Sequence, residues 1–317
     1  MTTNPSSGEI KAGRNRVAAT VTFGHAVKHF YNSGLRTIIL PEIKLNLNLS
    51  GAQFGALSTS REFTSWSITM AAGYLGDRYS NKSGLMIGLS MTLMGVGYYL
   101  ISLPETYWPL FVTMLIAGLG PALYHPPAIA ELSRRFPDRR GFAISLHGTG
   151  GIAGEIMGPL IVATLLSLTS WREILQLGLA PALLVAITLW AVMNSLRQPT
   201  TSNITTRSYL HTFGELVNNG PLMLLVTICA IRTVGESAVN TFLPVYLRGD
   251  MDFSPTRVAI YLSLAQVAGL GSQPLMGYLS DRLGRNTVLL PGLTIVGLLS
   301  IALGLTNQIM LLGIIII

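Results

Sequence analysis

The first long apolar segment of the chain carries a stripe of side chains that can bind an anion or carry a proton. His25, Lys28, His29, Asn32 and Arg36 are separated by three, one, three and four positions. In an α-helix this spacing places them along one broad face. Ionisable groups inside a long apolar helix are costly, so they usually pair with one another or face a cavity. The stripe predicts a binding site. Arg36 lies near the end of the segment, so for this residue an equal alternative is that its guanidinium extends into the water.

Charged residues of later apolar segments extend this prediction. Arg61 and Glu62 are neighbours, and adjacent helical positions point about 100° apart, so the two charges are not expected simply to neutralise each other. Whether Glu62 faces Lys28 or belongs to an interfacial pair stays open. Arg232 and Glu236 are four residues apart, so they share a helical face and can pair. This spacing fits both a binding site and a closed pair that serves only helix packing.

Glu155 lies among small residues, Gly150, Gly154 and Gly158, that let another helix approach closely. A carboxylate buried beside such a contact is a candidate for proton exchange. The predicted proton-coupling residues are Glu62, Glu155 and Glu236, with His125 and His147 behind them, although a lone histidine is more often a packing residue. The predicted substrate-binding residues are His25, Lys28, His29, Asn32, Arg61, Arg232 and Gln266.

Membrane-spanning helices must position these residues, because the chain lacks the polar surface of a soluble domain. Half of its residues are hydrophobic and 11% are charged, against roughly a quarter charged in soluble domains. Each apolar run is near the ~20 residues that a helix needs to cross a bilayer, whereas a β-barrel would show short alternating segments. The predicted spans are 17–40, 52–76, 83–103, 107–131, 142–167, 173–196, 220–246, 255–280 and 287–306.

A ten-residue segment has a similar copy 204 positions later, and each copy lies between two apolar runs. It carries an Asp-Arg pair, and its carboxylate can bond the N-terminus of a neighbouring helix. A gating contact between two halves and a tight turn that sets topology are the two interpretations. With an offset of 203, the same repeat aligns His29 with Arg232. The predicted gating residues are Gly73, Asp77, Arg78 and Lys82 in the first copy and Gly277, Asp281, Arg282 and Arg285 in the second.

The placement of the basic residues indicates topology rather than nucleic-acid binding. With the N-terminus inside, thirteen Lys and Arg residues lie in inside segments and four in outside loops, which is the positive-inside bias. We therefore predict a multi-pass protein of the plasma membrane. Its regions are a cytoplasmic tail (1–16), a six-helix bundle (17–196), a cytoplasmic linker (197–219) and an incomplete second bundle (220–317). About ten apolar residues follow Gln308, half a span, so we expect this bundle to be truncated within helix ten.

The repeated motif resembles that of the major facilitator superfamily, and the resemblance covers essentially the whole chain. The family's loop between helices two and three reads roughly Gly-x-x-x-Asp-Arg-x-Gly-Arg-Arg/Lys, and this chain departs from it at Ser80 and Asn81. Gly24-His25, Tyr124-His125-Pro126 and Arg139-Arg140-Gly141 are similar to the fosmidomycin-resistance branch of efflux proteins. The resemblance implies an all-α fold of two six-helix bundles related by a pseudo-two-fold axis, with substrate bound near the bilayer midplane. It also implies that helix eleven is the partner of Asp77.

Together, the residues and the resemblance predict a secondary transporter that works by alternating access. We expect it to export a small organic compound or drug in exchange for protons. The basic residues allow this compound to be an anion. The alternatives are a proton-coupled importer of an organic anion and a membrane sensor or truncated product that does not transport. The sequence contains no phosphate-binding loop, nucleophile elbow or metal-ligand spacing of Cys and His. We therefore predict no enzymatic activity, cofactor or metal. The expected partners are a small-molecule substrate, protons and the lipid bilayer, and the chain is expected to be a monomer.

Overall fold

The computed structural model describes residues 13–195 and 205–305, and within these ranges the chain forms helices and turns without any strand. The helices are Arg14–Gly34 (α1), Leu40–Asn46 (α2), Gly51–Arg78 (α3), Ser83–Ile101 (α4), Tyr107–Ala117 (α5), Leu119–Ala122 (α6), His125–Arg135 (α7), Arg140–Leu166 (α8), Trp171–Leu177 (α9), Leu179–Asn194 (α10), Thr206–Val217 (α11), Gly220–Gly249 (α12), Pro255–Leu283 (α13) and Arg285–Leu305 (α14). A π-helical turn, Leu35–Ile39, joins α1 to α2.

These helices form membrane-length segments at the predicted positions. Among the described residues, five segments are long and apolar enough to cross a bilayer on composition alone, and they are Ser80–Ile101, Tyr107–Arg135, Arg140–Leu166, Trp171–Asn194 and Gly220–Gly249. The second of these is interrupted after α6, just before Pro126 and Pro127, which lack the N–H groups that a continuous helix needs. The predicted all-helical membrane class is therefore confirmed.

The predicted linker contains a short helix. Thr205 caps the N-terminus of α11, since its side chain accepts a hydrogen bond from the Ser208 amide at 3.2 Å. Every residue of α11 is at least partly exposed. Residues 196–204 lie outside the described ranges. The N-terminal residues 1–12 and the predicted start of a tenth helix, 306–317, lie outside them as well.

Glycines bring α8 into backbone contact with α1. A Cβ atom at Gly150 would lie 2.5 Å from the Thr22 carbonyl oxygen, and one at Gly154 would lie 2.8 Å from the Phe30 amide nitrogen. No larger side chain fits at this separation, so the predicted close approach of another helix is confirmed and the partner is α1. This contact sets the distance between the polar stripe of α1 and Glu155.

The helices up to α10 meet the later helices at one end of the molecule. Glu42 of α2 pairs with Arg248 of α12 at 2.5 Å, and the rings of Phe54 and Phe242 lie 5.8 Å apart at the same end. Deeper in the molecule, Ser263 of α13 donates a hydrogen bond to a carbonyl oxygen of α8 at 2.9 Å. These contacts hold the two groups of helices together around a space between them.

Candidate functional site

A cavity of about 260 Å³ lies between α1 and α8 on one side and α12, α13 and α14 on the other. Its lining combines eight apolar residues with seven polar or charged ones, and convergent polar groups in such a cavity can orient a small ligand. The polar lining residues are Ser33, Arg36, Thr37, Glu155, Asn240, Gln266 and Ser300. Two predicted site residues, Glu155 and Gln266, therefore face the same space from opposite groups of helices.

Glu155 is paired with His29 of the polar stripe. Nδ1 of His29 lies 2.8 Å from Oε1 of Glu155, and each side chain is 23% exposed. The carboxylate thus contacts an imidazole on one side and borders the cavity on the other. A His–Glu pair at the edge of a cavity can accept or release a proton and can change its charge when it does so.

His29 also belongs to a set of buried and partly buried basic side chains that we call the histidine cluster: His25, Lys28, His29, His125 and His147. The Lys28 ammonium contacts Nε2 of His125. The rings of His25 and His147 stack with centroids 3.8 Å apart. The structure therefore brings together five predicted site residues from α1, α7 and α8, which are separated by up to 122 positions in the chain.

Arg61 is held in a second polar group beside the stripe. Its guanidinium donates to Oδ1 of Asn32 at 2.5 Å, to Tyr98 Oη at 3.3 Å and to Oε1 of Glu62 at 2.6 Å. The prediction that Arg61 and Glu62 do not neutralise each other is wrong, because their long side chains bend across the 100° that separates them on the helix. Tyr98 carries no charge, and a single tyrosine in an apolar segment is no signal that would predict its place in this group.

Glu62 lines another cavity, of about 370 Å³, between α3 and α12. Ser58, Thr59, Ser237 and Thr241 add hydroxyl groups to a largely apolar wall. The Glu62 side chain is 45% exposed and forms an ion pair with Arg61. Its carboxylate is therefore accessible between the two groups of helices.

Arg232 and Glu236 form the predicted ion pair on α12, with 3.2 Å between Nη1 and Oε2. The side chains are 61% and 53% exposed, and neither residue is among those that line the cavity beside Glu155. His29 and Arg232 thus occupy different surroundings, although the internal repeat aligns them. Their joint role in binding stays a prediction.

The two copies of the Asp-Arg motif end α3 and α13. In the first copy, the Arg78 guanidinium and the Lys82 ammonium lie over the Tyr79 ring, 5.7 and 5.6 Å from its centroid. In the second copy, Gly284 ends the helix with φ of 92°, a conformation that favours glycine, and Arg282 is exposed. The side chains of Gln273, Gly277, Asp281 and Arg285 lie outside what the structure describes. Gating by these loops stays a prediction.

The sequence missed several polar residues of the cavity. For Arg36 the sequence leaves two alternatives open, the binding site or water, and the structure places it in the cavity lining with Glu155. Its turn is π-helical, a form that occurs often at functional sites. Asn240 and Ser300 also line the cavity. They are uncharged residues in apolar segments, a pattern too common to single out.

The comparisons with known proteins identify the family. A sequence profile of the Major Facilitator Superfamily matches residues 21–317, so the chain belongs to this family of membrane transporters. The family contains transporters rather than enzymes, as predicted.

The chain is 28% identical over 239 residues to the multidrug resistance protein MdtG of Proteus mirabilis, covering 73% of this chain and 58% of that protein. It is 25% identical over 145 residues to the fosmidomycin resistance protein of Escherichia coli, covering 45% and 35%. The chain spans less than two thirds of the length of these relatives.

Solved structures confirm the fold. A bacterial homologue of the human lysosomal transporter Spinster superposes with a TM-score of 0.76 at 19% identity, covering 96% of this chain and 71% of that one. The nucleoside transporter NupG superposes with a TM-score of 0.74 at 15% identity, covering 95% and 78%. The described helices therefore have the arrangement of a major facilitator protein.

Proposed function

We propose that this protein is a secondary active transporter that exports a small organic anion in exchange for protons by alternating access. The observation that carries the proposal is the His29–Glu155 pair at the edge of the cavity between the two groups of helices. A proton taken up by this pair removes an ion pair from the cavity wall. Proton uptake and substrate binding then influence one another through the same space.

The basic groups around the cavity support an anionic substrate. Arg36 lines the cavity itself, and its guanidinium matches the planar or tetrahedral oxygens of carboxylates and phosphonates. Gln266 and Asn240 supply neutral hydrogen bonds from the opposite wall. Lys28 and Arg61 lie buried one layer behind and add positive charge to the site. The names of the relatives, a multidrug resistance protein and a fosmidomycin resistance protein, favour export over import.

The orientation and the gates follow from the charge bias and the contacts between the helix groups. The positive-inside bias supports a cytoplasmic N-terminus, and in this orientation the end closed by Glu42 and Arg248 faces outwards. In this orientation, the structure has its outer side closed. The Asp77 and Asp281 loops lie at the inner face and close it in the opposite state. The six-helix bundle 17–196 and the bundle that begins at residue 220 move against each other about linker 197–219, in a monomer.

Transport into inside-out membrane vesicles tests the proposal. Respiration acidifies the lumen of such vesicles, so an exporter that exchanges protons accumulates its substrate inside. With fosmidomycin as the probe, we expect accumulation that depends on the expressed chain and disappears when nigericin collapses the pH gradient. Accumulation that ignores the gradient contradicts proton exchange. Uptake driven by an inward proton gradient in right-side-out vesicles contradicts export and indicates the importer.

A further inference from the structure

Three histidines of the cluster come from helices far apart in the chain and converge on one point. His25 lies on α1, His125 at the start of α7 and His147 on α8. Their possible ligand atoms all lie within 4.8 Å of one another. Three imidazoles are the protein ligands of many sites for zinc and other divalent transition metals. No spacing in the sequence predicts this group, because helix packing alone assembles it.

The hydrogen bonds leave a nitrogen lone pair available on His25. Nδ1 of His25 lies 2.7 Å from the His147 carbonyl oxygen, which can only accept, so Nδ1 carries the proton. Nε2 of His25 is then an acceptor, and it is buried without a partner among the described residues. A backbone carbonyl that fixes the tautomer of a histidine in this way is the usual outer support of a metal-binding imidazole.

His147 is also unsatisfied. It is 2% exposed, and neither of its ring nitrogens makes a hydrogen bond of normal geometry within the described part of the chain. A neutral imidazole always has one acceptor nitrogen. Leaving such groups buried and unpaired costs about 1–3 kcal/mol each. Two neighbouring imidazoles with unpaired acceptor nitrogens are better explained by a site for an electron-pair acceptor, such as a metal ion, than by ordinary packing.

We propose that His25, His125 and His147 bind a divalent transition-metal ion, with Zn²⁺ as the representative. Zn–N bonds of about 2.0–2.1 Å place tetrahedral ligand atoms about 3.4 Å apart. The three histidine ligand atoms lie within 4.8 Å of one another, so each separation has to shorten by at most about 1.4 Å for all three to reach one ion. His125 is the partly exposed member of the three. A bound ion ties α1, α7 and α8 together directly behind the His29–Glu155 pair.

Lys28 gives the proposal an unusual signature. Its ammonium is hydrogen-bonded to Nε2 of His125, so Lys28 competes with a metal ion for this ligand atom. Its positive charge also repels the ion. Removing this charge should therefore strengthen metal binding, whereas removing an imidazole should weaken it. A merely structural histidine cluster predicts no dependence of metal affinity on Lys28. The proposal does not depend on the transport direction or substrate, since binding is measured without transport.

The test is Zn²⁺ binding to the purified chain in detergent, followed by calorimetry and by metal analysis after dialysis. We expect one tightly bound Zn²⁺ per chain. The His147→Gln and His125→Gln variants should each bind at least tenfold more weakly, and Lys28→Met at least several-fold more tightly. The control is His211→Gln, since His211 is 76% exposed on α11 and this variant should bind like the unaltered chain. Equal affinity of the unaltered chain and the His147→Gln variant overturns the proposal, as does the absence of saturable binding.

A spectroscopic measurement on the unaltered chain covers the case in which a histidine variant does not fold. Co²⁺ replaces Zn²⁺ in imidazole sites and absorbs visible light strongly when it is tetrahedral and weakly when it is octahedral and hydrated. We expect the strong tetrahedral bands at one equivalent of Co²⁺, and their loss when Zn²⁺ is added. Only the weak spectrum of hydrated Co²⁺ overturns the proposal.

Discussion

Oε1 of Glu155 lies 2.8 Å from Nδ1 of His29, across the contact between α8 and α1. The pair sits beside Gly154, where the two backbones come closest. Because helix packing and the ion pair share one place, a change in the charge of Glu155 acts directly on the contact between α1 and α8. The cavity lined by Glu155 and Arg36 borders the same helices. This geometry is the physical reason to expect that proton exchange at Glu155 affects substrate binding in the cavity.

The glycine contact makes a prediction about stability. A Cβ in Gly154→Ala would lie 2.8 Å from the Phe30 amide nitrogen and 2.9 Å from His29 Cβ, and overpacking of this kind costs about 1–3 kcal/mol. We expect a lower midpoint of thermal unfolding in detergent. The control is Gly148→Ala on the same helix, where a Cβ meets nothing within 4 Å. It should be neutral or up to ~1 kcal/mol more stable, because alanine favours helix. Equal midpoints for the two variants would show that the helix contact is not as described.

The Glu42–Arg248 pair predicts a lock at the closed end. The carboxylate and the guanidinium meet at 2.5 Å between α2 and α12, so a covalent link between these positions should hold this end shut. Glu and Arg meet here at the ends of long side chains, so a direct disulfide between the two positions is too short and a short bifunctional methanethiosulfonate is the suitable cross-linker. In a Cys229→Ser background, chosen because Cys229 is exposed, we expect Glu42→Cys with Arg248→Cys to lose transport when this reagent joins the two thiols. Reduction should restore transport. Each single cysteine variant treated with the same reagent is the control and should keep its transport. Unchanged flux in the cross-linked protein would rule out movement at this end.

A third prediction concerns the buried carboxylate at the end of α7. Glu131 is fully buried and accepts hydrogen bonds from Arg135 Nε at 2.5 Å and Arg134 Nη2 at 3.0 Å. Replacing this carboxylate by a neutral amide removes a buried charge that accepts two charge-assisted hydrogen bonds, and breaking such a buried group costs about 3–5 kcal/mol. We expect Glu131→Gln to unfold at a clearly lower temperature. Glu215→Gln, which removes the exposed partner of His211, should leave the midpoint unchanged. A Glu131→Gln variant as stable as this control contradicts the prediction.

The sequence predicted the helices well, because each apolar run of membrane length has one stable solution in a bilayer. It also placed the polar stripe of α1 on one face, since the spacing of His25, Lys28 and His29 follows the helical period directly. The glycines around Glu155 predicted a close helix contact but not its partner. That partner, α1, became visible only in the packing.

What the sequence could not predict depends on contacts between helices. Tyr98 joins Asn32 and Arg61 from a position 66 residues away from Asn32, and nothing in its own segment marks it. The pairing of Arg61 with Glu62 depends on how long side chains bend. The alignment of His29 with Arg232 rests on the repeat alone, and a repeat relates positions on helices without relating the packing around each side chain.

The most direct test of the account is proton-driven transport by a Glu155→Gln variant. Glutamine keeps the shape of the side chain and a hydrogen bond to His29 but cannot carry a proton. In inside-out vesicles we predict that accumulation driven by the pH gradient falls to the level of vesicles without the protein. Exchange of labelled for unlabelled fosmidomycin, which needs no gradient, should persist.

The matched control for this measurement is Glu215→Gln, which alters the exposed His211–Glu215 pair on α11 and should transport like the unaltered chain. Gradient-driven accumulation in Glu155→Gln equal to that of the control would show that the His29–Glu155 pair does not carry the coupling proton.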